Sequence, residues 1–255
     1  MPAGIPSSLV ERAFYEPLHD RPRRQPMTRA RDLDAAHRLG AWLIAVTPAG
    51  TAAAAGLVEP GAAFDDTESA AVARAVPRRR DEFFTGRRLA RRALAELGAS
   101  AVAIPAAADR VPVWPDGYLG TISHCDTLCV AQVARRGALD GLGVDVERVG
   151  AFEPAMMRLV AADDEWRRIA ADLPADIDPG TLCFSAKEAA YKAVFPILRT
   201  FLDFGDVRLE VDAARGAFAV SPSSPDVPWI ARGDRLAGRF ERFGDHLVTT
   251  VWIRP

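Results

Sequence analysis

Two short stretches carry the side chains best able to do chemistry. The first is Gly141-Leu142-Gly143-Val144-Asp145-Val146-Glu147. Its alternation predicts a strand with Leu142, Val144 and Val146 on a core face. Asp145 and Glu147 then project together from the other face, roughly 7 Å apart along the chain. Two carboxylates on one rigid edge repel each other unless a cation lies between them. A hard divalent ion answers that need, and magnesium commonly takes one or two protein carboxylates together with phosphate oxygens and water. An edge strand with a solvated acidic face would show the same pattern, so this segment needs a third member to become a site.

The second stretch, Phe184-Ser185-Ala186-Lys187-Glu188-Ala189-Ala190-Tyr191-Lys192, supplies one. Ser185 and Glu188 have the spacing of a capping box, and Lys192 follows Glu188 by four residues, as in a surface ion pair. On that reading the segment is helix-end chemistry. The same geometry also puts Glu188 and Lys192 on one face near a helix start, where free N–H groups and the helix dipole attract anions. A carboxylate for a metal and two lysines for phosphate would then form a diphosphate cradle, suited to a phosphoryl-type transfer that runs on positioning and charge neutralisation.

These segments need elements to hold them. Thr67–Gly98 reads as helical, with Pro77 near a helix start, Phe83, Ala90, Leu94 and Leu97 at helical spacing, and Gly98 as a stop; Arg80, Arg87 and Arg91 mark the opposite side. A short strand is expected at Ala101–Ile104, then a turn-rich stretch from Val113 to Gly120 leading into Thr121-Ile122-Ser123-His124. Leu128–Val133 is an apolar run and 135–140 a hairpin loop. Leu142–Val146 is a strand, Ser185–Phe195 a helix closed near Pro196, and Leu247–Ile253 a final strand. Residues 1–31, with prolines at 17, 22 and 26 among Arg21, Arg23, Arg24, Arg29 and Arg31, read as a poorly packed extension, with Met27 as an alternative start. A basic tail docking on RNA is the alternative reading of that segment.

Bulk properties narrow the class. The chain has 255 residues, 49% of them hydrophobic, and a net charge of -2 from 32 basic and 34 acidic residues, which disfavours a nucleic-acid binder working by bulk charge. Cys125, Cys129 and Cys183 fit neither a disulfide framework nor a zinc pattern and read as packing residues. No run is long enough to span a bilayer and no leader is evident, so the sequence predicts a cytoplasmic protein with no membrane attachment.

Taken together, the two stretches resemble the paired motifs of the 4'-phosphopantetheinyl transferase superfamily. Upstream, Arg79-x-x-Glu82-Phe83 with Gly86-Arg87-x-x-Ala90-Arg91 is similar to that family's basic helix. Trp114-Pro115-x-Gly117-x-x-Gly120-Thr121-Ile122-Ser123-His124 is similar to its segment ending in serine and histidine, and Phe201-Leu202-Asp203-Phe204 resembles the loop after the second motif. These features point to the monomeric, two-half branch, typified by activators of siderophore synthetases and mycobacterial lipid synthases. In the loop before Trp114 the family often carries a glycine and a basic residue; here the loop is Ala106-Ala107-Ala108-Asp109-Arg110-Val111-Pro112, with Arg110 its one basic candidate.

The resemblance implies an α+β fold with two similar α/β halves related by a pseudo-twofold axis, here 32–140 and 141–255. The active site would lie in the cleft between them. It implies transfer of the phosphopantetheine arm of coenzyme A to a serine of an apo acyl or peptidyl carrier protein, by a monomer needing Mg2+ (or Mn2+). Asp145, Glu147 and Glu188 would hold the metal, with Glu188 or a metal-bound water as general base. Lys187 and Lys192 would contact phosphate, Lys192 nearest the leaving group. Arg79 and His124 would recognise the 3'-phosphate region, Arg87 would also bind coenzyme A, and Ser123 would line the nucleotide pocket. A phosphohydrolase or nucleotidyltransferase using the same acidic strand, and a carrier-binding module without activity, are the alternatives.

Overall fold

The computed structural model describes residues 27–125, 127–150, 154–230 and 236–255. Helix α1 (Met27–Val46) leads into strand β1 (Thr51–Leu57), followed by the short α2 (Asp66–Ala71) and the long α3 (Pro77–Glu96). Strands β2 (Tyr118–Cys125), β3 (Leu128–Arg135) and β4 (Gly141–Arg148) come next. Helices α4 (Pro154–Val160), α5 (Asp163–Asp172) and α6 (Pro179–Leu198) precede β5 (Val207–Asp212), β6 (Ala217–Pro222), β7 (Leu236–Phe243) and β8 (His246–Ile253). The strands form two antiparallel sheets, one in the order β1-β3-β2 and the other β4-β8-β7-β6-β5.

Local chemistry explains most boundaries. The helix expected across Thr67–Gly98 is two helices. Asp65 caps α2 by accepting from Thr67 N and Glu68 N, and Pro77 opens α3 at a position where its missing N–H costs nothing. Gly98 follows α3 with φ 79, a left-handed conformation that glycine adopts without strain. The expected strand at Ala101–Ile104 forms no ladder. Its place is taken by an extended loop whose Ile104 is anchored instead, its amide donating to the buried Glu68 Oε1 at 2.9 Å. Helix α6 starts earlier than its capping-box pattern suggests: Asp178 is the N-cap, accepting from Thr181 N at 2.7 Å, and Pro179 is the first helical residue. Ser185 is therefore inside the helix, where its hydroxyl pairs with Thr249 on β8 at 2.9 Å. The extension expected over 1–31 lies, for residues 1–26, outside the described residues, and α1 already begins at Met27.

Three packing units position the two acidic and basic stretches. Helix α3 covers the first sheet with Leu89, Ala90, Ala93 and Leu94 against Ala131 and Val133 of β3. Helix α6 covers the second sheet with Leu182, Ala186, Ala189 and Ala193 against Leu247 and Val251. Between the sheets, Leu39 and Leu43 of α1 join Leu128 and Val130 of β3 to Val144 and Val146 of β4 in one buried cluster. Each fully buried leucine there contributes about 1.5–3 kcal/mol relative to exposure. The apolar alternation of β4 is thus spent on joining the two sheets.

The opposite face of β4 explains its other residues. A Cβ on Gly143 would sit 1.8 Å from the Ala189 carbonyl oxygen, and one on Gly141 2.7 Å from that of Ala193. Side chains in a strand alternate faces, so Gly141, Gly143, Asp145 and Glu147 share the face that meets α6. Two missing side chains let the helix lie directly on the strand, and the face turns acidic where the helix carries Glu188 and Lys192.

Candidate active site

Asp145 and Glu147 are not a solvated acidic edge: they are 3% and 9% exposed. Side chains on a helix lean toward its N-terminus, which lets Lys192 reach back to β4. Its ammonium donates to Asp145 Oδ1 at 2.6 Å, to Ser123 Oγ at 3.1 Å and to the Val144 carbonyl at 3.3 Å. Ser123, on β2, donates to the same Asp145 Oδ1 at 2.9 Å. The other carboxylate oxygen, Asp145 Oδ2, is buried without a hydrogen-bond partner. Glu147 receives a long contact of 3.7 Å from the Cys125 thiol.

Charge is unbalanced here. Burial, and then the neighbouring Asp145 and Glu188, push the Glu147 carboxyl well above its ordinary range, against the pull of Lys192 and Cys125. Burial works against the Lys192 ammonium, yet Asp145, Glu188 and Glu147 together hold it above the ordinary lysine value. Three carboxylates thus share one lysine and feel one another. Glu188 lies one turn before Lys192 on α6 and is half-buried.

This inventory fits a hard cation in donor chemistry and in charge. Oxygen ligands, an orphaned buried carboxylate oxygen and surplus negative charge are what magnesium requires. The side chains are not yet in a closed ligand shell: among the described residues no three acidic, thiol or imidazole groups are gathered tightly enough to grip an ion as they stand.

A basic pair adjoins the acids. Arg79, on the first turn of α3, lies with Nη1 2.5 Å from His124 Nε2, and Glu82 Oε2 lies 3.4 Å from Arg79 and 3.7 Å from His124 Nδ1. Arg79 remains about half exposed (51%), so its charge is available to a ligand, and His124 follows Ser123 directly on β2. Glu82 is 2% exposed and fixes both; its spacing three residues after Arg79 on a helix was the available signal for it.

Three expected site residues do other work. Lys187 is 3% exposed, with its ammonium donating to Glu165 Oε2 (3.0 Å) and to the carbonyls of Val160 (2.8 Å), Phe204 (3.1 Å) and Val207 (3.0 Å). Every proton of that group has a protein acceptor here, where the resemblance implied a phosphate contact. Arg87 is likewise buried: its Nε donates to the Ile104 carbonyl at 2.9 Å and its guanidinium lies 4.0 Å from the Phe83 ring. Burial lowers its pKa to about 10. Arg87 therefore holds the 101–105 loop through its Nε, where a contact to coenzyme A was expected. The Ser123 hydroxyl, expected in the nucleotide pocket, is bonded within the protein. The helix start expected near Glu188 and Lys192 is also absent, since both sit in the third turn or later of α6.

Beyond Glu188, on the side of α6 away from β4, a cavity of about 60 Å3 opens between the helix and the segment after it. Tyr191, Phe201, Leu202, Phe204 and Trp229 give it an apolar lining, with Glu188 at its wall.

Acids sharing a lysine thus lie between α6 and β4, with a basic pair nearby and an apolar cavity on the far side of α6. Comparison with known proteins gives the family. Residues 67–134 match the 4'-phosphopantetheinyl transferase N-terminal domain, and residues 141–251 match the 4'-phosphopantetheinyl transferase superfamily. The chain is 36% identical over 188 residues to 4'-phosphopantetheinyl transferase Svp of Streptomyces mobaraensis, spanning 72% of this chain and 76% of that protein. It is 34% identical over 142 residues to 4'-phosphopantetheinyl transferase PptT of Mycobacterium tuberculosis, spanning 56% and 63%. It is also 37% identical over 119 residues to enterobactin synthase component D of Escherichia coli K12, spanning 46% and 55%. The chain belongs to the 4'-phosphopantetheinyl transferase superfamily and has its α+β fold.

Proposed function

We propose that this chain transfers the 4'-phosphopantetheine group of coenzyme A to a serine of an apo carrier protein, with Mg2+ held by Asp145, Glu147 and Glu188. The observation that carries the residue assignment is the buried, under-compensated acid pair of β4 meeting Glu188 and Lys192 of α6, with Asp145 Oδ2 left without a partner. Arg79 and His124 bind the 3'-phosphate, and the cavity lined by Tyr191 and Phe201 takes the pantetheine arm. When bound, the cation neutralises the diphosphate and so lowers the barrier to attack.

The carrier serine hydroxyl forms the new P–O bond at the phosphorus bearing pantetheine. The P–O bond to the bridging oxygen of the diphosphate breaks, and 3',5'-ADP leaves. The serine proton passes to Glu188, directly or through a water. Lys192, one-quarter exposed, turns from Asp145 toward the leaving phosphate and stabilises its charge. No covalent enzyme intermediate is required. Both sheets of a single chain contribute to the site, which suits a monomer. Among the described residues the cysteines form no disulfide, as a cytoplasmic enzyme would keep them, and no helix is long and apolar enough to cross a membrane.

The test is mass spectrometry of several apo-carriers incubated with the protein, coenzyme A and Mg2+. A phosphopantetheine adduct that requires all three components is expected. Coenzyme A cleavage without a carrier would instead indicate hydrolysis, and carrier binding without adduct would remove the catalytic assignment.

A further inference from the structure

β2 and β4 are both edge strands, one from each sheet, and they lie side by side without a backbone ladder between them. In an antiparallel pair, backbone groups alternate between the two edges of a strand. The bond from Val149 N to Asp245 O turns the odd-numbered residues of β4 toward β8, which leaves the Val144 and Val146 amides on the free edge. A buried amide without an acceptor costs about 1–3 kcal/mol. Here β2 supplies acceptors from its side chains. Val144 N donates to Thr121 Oγ1 at 3.2 Å, and Val146 N donates to Ser123 Oγ at 3.4 Å. The two hydroxyls are two residues apart and match the two-residue spacing of the free amides. All four residues are buried.

A serine hydroxyl has one hydrogen and two lone pairs. Ser123 gives its hydrogen to Asp145 Oδ1 and accepts from Val146 N and the Lys192 ammonium. It is saturated, with nothing left to offer a nucleotide. Its donation also divides the labour of Asp145: Oδ1 is engaged by Ser123 and Lys192, and Oδ2 is left buried and unpartnered.

We infer that Ser123 and Thr121 are positioning residues: they stitch the free edge of β4 to the other half of the molecule, and Ser123 orients Asp145 so that Oδ2 faces the cation. This rests on the reading of Asp145, Glu147 and Glu188 as the cation site. The Ser123 hydroxyl is engaged inside the protein and the Thr121 hydroxyl accepts from β4, so their loss should move cation affinity rather than the KM for coenzyme A.

The experiment is Mn2+ binding to the whole chain, followed by electron paramagnetic resonance without coenzyme A, alongside steady-state kinetics. Ser123→Ala should weaken Mn2+ by about tenfold, the usual scale for removing a group that orients a metal ligand. Ser123→Thr, which restores the hydroxyl, should recover most of it, and the KM for coenzyme A should stay within about twofold of the parent value, since uniform substrate binding is untouched. Thr121→Val, which keeps the side-chain shape, provides the second variant. It should weaken Mn2+ and Thr121→Ser should not. Parent-like Mn2+ binding by Ser123→Ala with a raised KM would make Ser123 a nucleotide contact and overturn the inference while leaving the cation site standing. Absence of Mn2+ binding by the parent chain would overturn the cation site and the inference with it.

Discussion

Replacing Lys187 with methionine should unfold the protein more readily without weakening its hold on coenzyme A. The side chains of Lys187 and Glu165 are 1% and 2% exposed and lie 3.0 Å apart. Removing one partner of such a buried pair leaves a charge with no counterion and costs about 3–5 kcal/mol. Three carbonyls, of Val160, Phe204 and Val207, lose their donor at the same time. A chain of this size loses about 2–4 °C of melting temperature per kcal/mol, so a fall of roughly 6–20 °C is expected. Glu165→Gln keeps an oxygen for the Leu209 amide, which now donates to Glu165 Oε1 at 2.6 Å, but removes the counterion. The double variant should lose at least about 1 kcal/mol less than the sum of the two single losses, since each single change strands the other's charge. Thermal and urea unfolding measure the stability, and initial rates against coenzyme A measure the KM of the folded fraction. A melting temperature within 2 °C of the parent (a shift of about 1 kcal/mol or less) combined with a tenfold rise in that KM would refute the argument and return Lys187 to the phosphate.

Glu147→Gln should flatten the pH dependence of stability in the metal-free protein. The folded chain holds the Glu147 proton above the ordinary 4.5 while the unfolded chain releases it, so parent stability should fall as pH rises from 4.5 toward the raised folded value, and urea midpoints across that window would show a slope of the opposite sign if the reasoning were wrong. Arg79→Ala should weaken coenzyme A by roughly tenfold, the scale of one charge-assisted bond, and leave dephospho-coenzyme A nearly unaffected; equal losses would remove Arg79 from the 3'-phosphate. Gly143→Ala should destabilise by at least about 3 kcal/mol, because its Cβ would meet backbone of α6 rather than a movable side chain. Parent-like urea unfolding of that variant would show that the helix can withdraw from β4 at little cost.

The legible parts of this site were those whose meaning is local. The alternation of Val144, Asp145, Val146 and Glu147 specifies a two-faced strand whatever surrounds it, and Glu188 and Lys192 share a helix face wherever that helix starts. What could not be read locally was which of several basic or hydroxyl groups would find partners inside the fold. Lys187 and Lys192 are both lysines on α6, but the four acceptors around Lys187 come from α4, α5, the segment before β5 and the first residue of β5, 17 to 27 residues away along the chain. Arg87 looked equivalent to Arg79 until the 101–105 loop, which forms no strand, placed a carbonyl against it. Ser185 shows the same ambiguity from the other side: its spacing to Glu188 suits a cap, yet the real cap is Asp178 and the serine is used to bond Thr249 across to β8.

The glycines of β4 connect these two kinds of information. Read along the sequence, Gly141 and Gly143 look like weak points in a strand, where each sacrifices side-chain packing and chain entropy. Read on the face they share with Asp145 and Glu147, they are what lets α6 lie against the strand backbone. Close contact is needed because a lysine ammonium must reach both an aspartate and a main-chain carbonyl of the same strand, at 2.6 and 3.3 Å. A helix held off by ordinary side chains would leave Lys192 too far from Asp145 to neutralise it and Glu188 too far to share a cation with it. The acid pair would then be the solvated edge that its pattern alone permits. The motif therefore works as a unit of packing and charge: its small residues set the distance at which its acidic ones become a site.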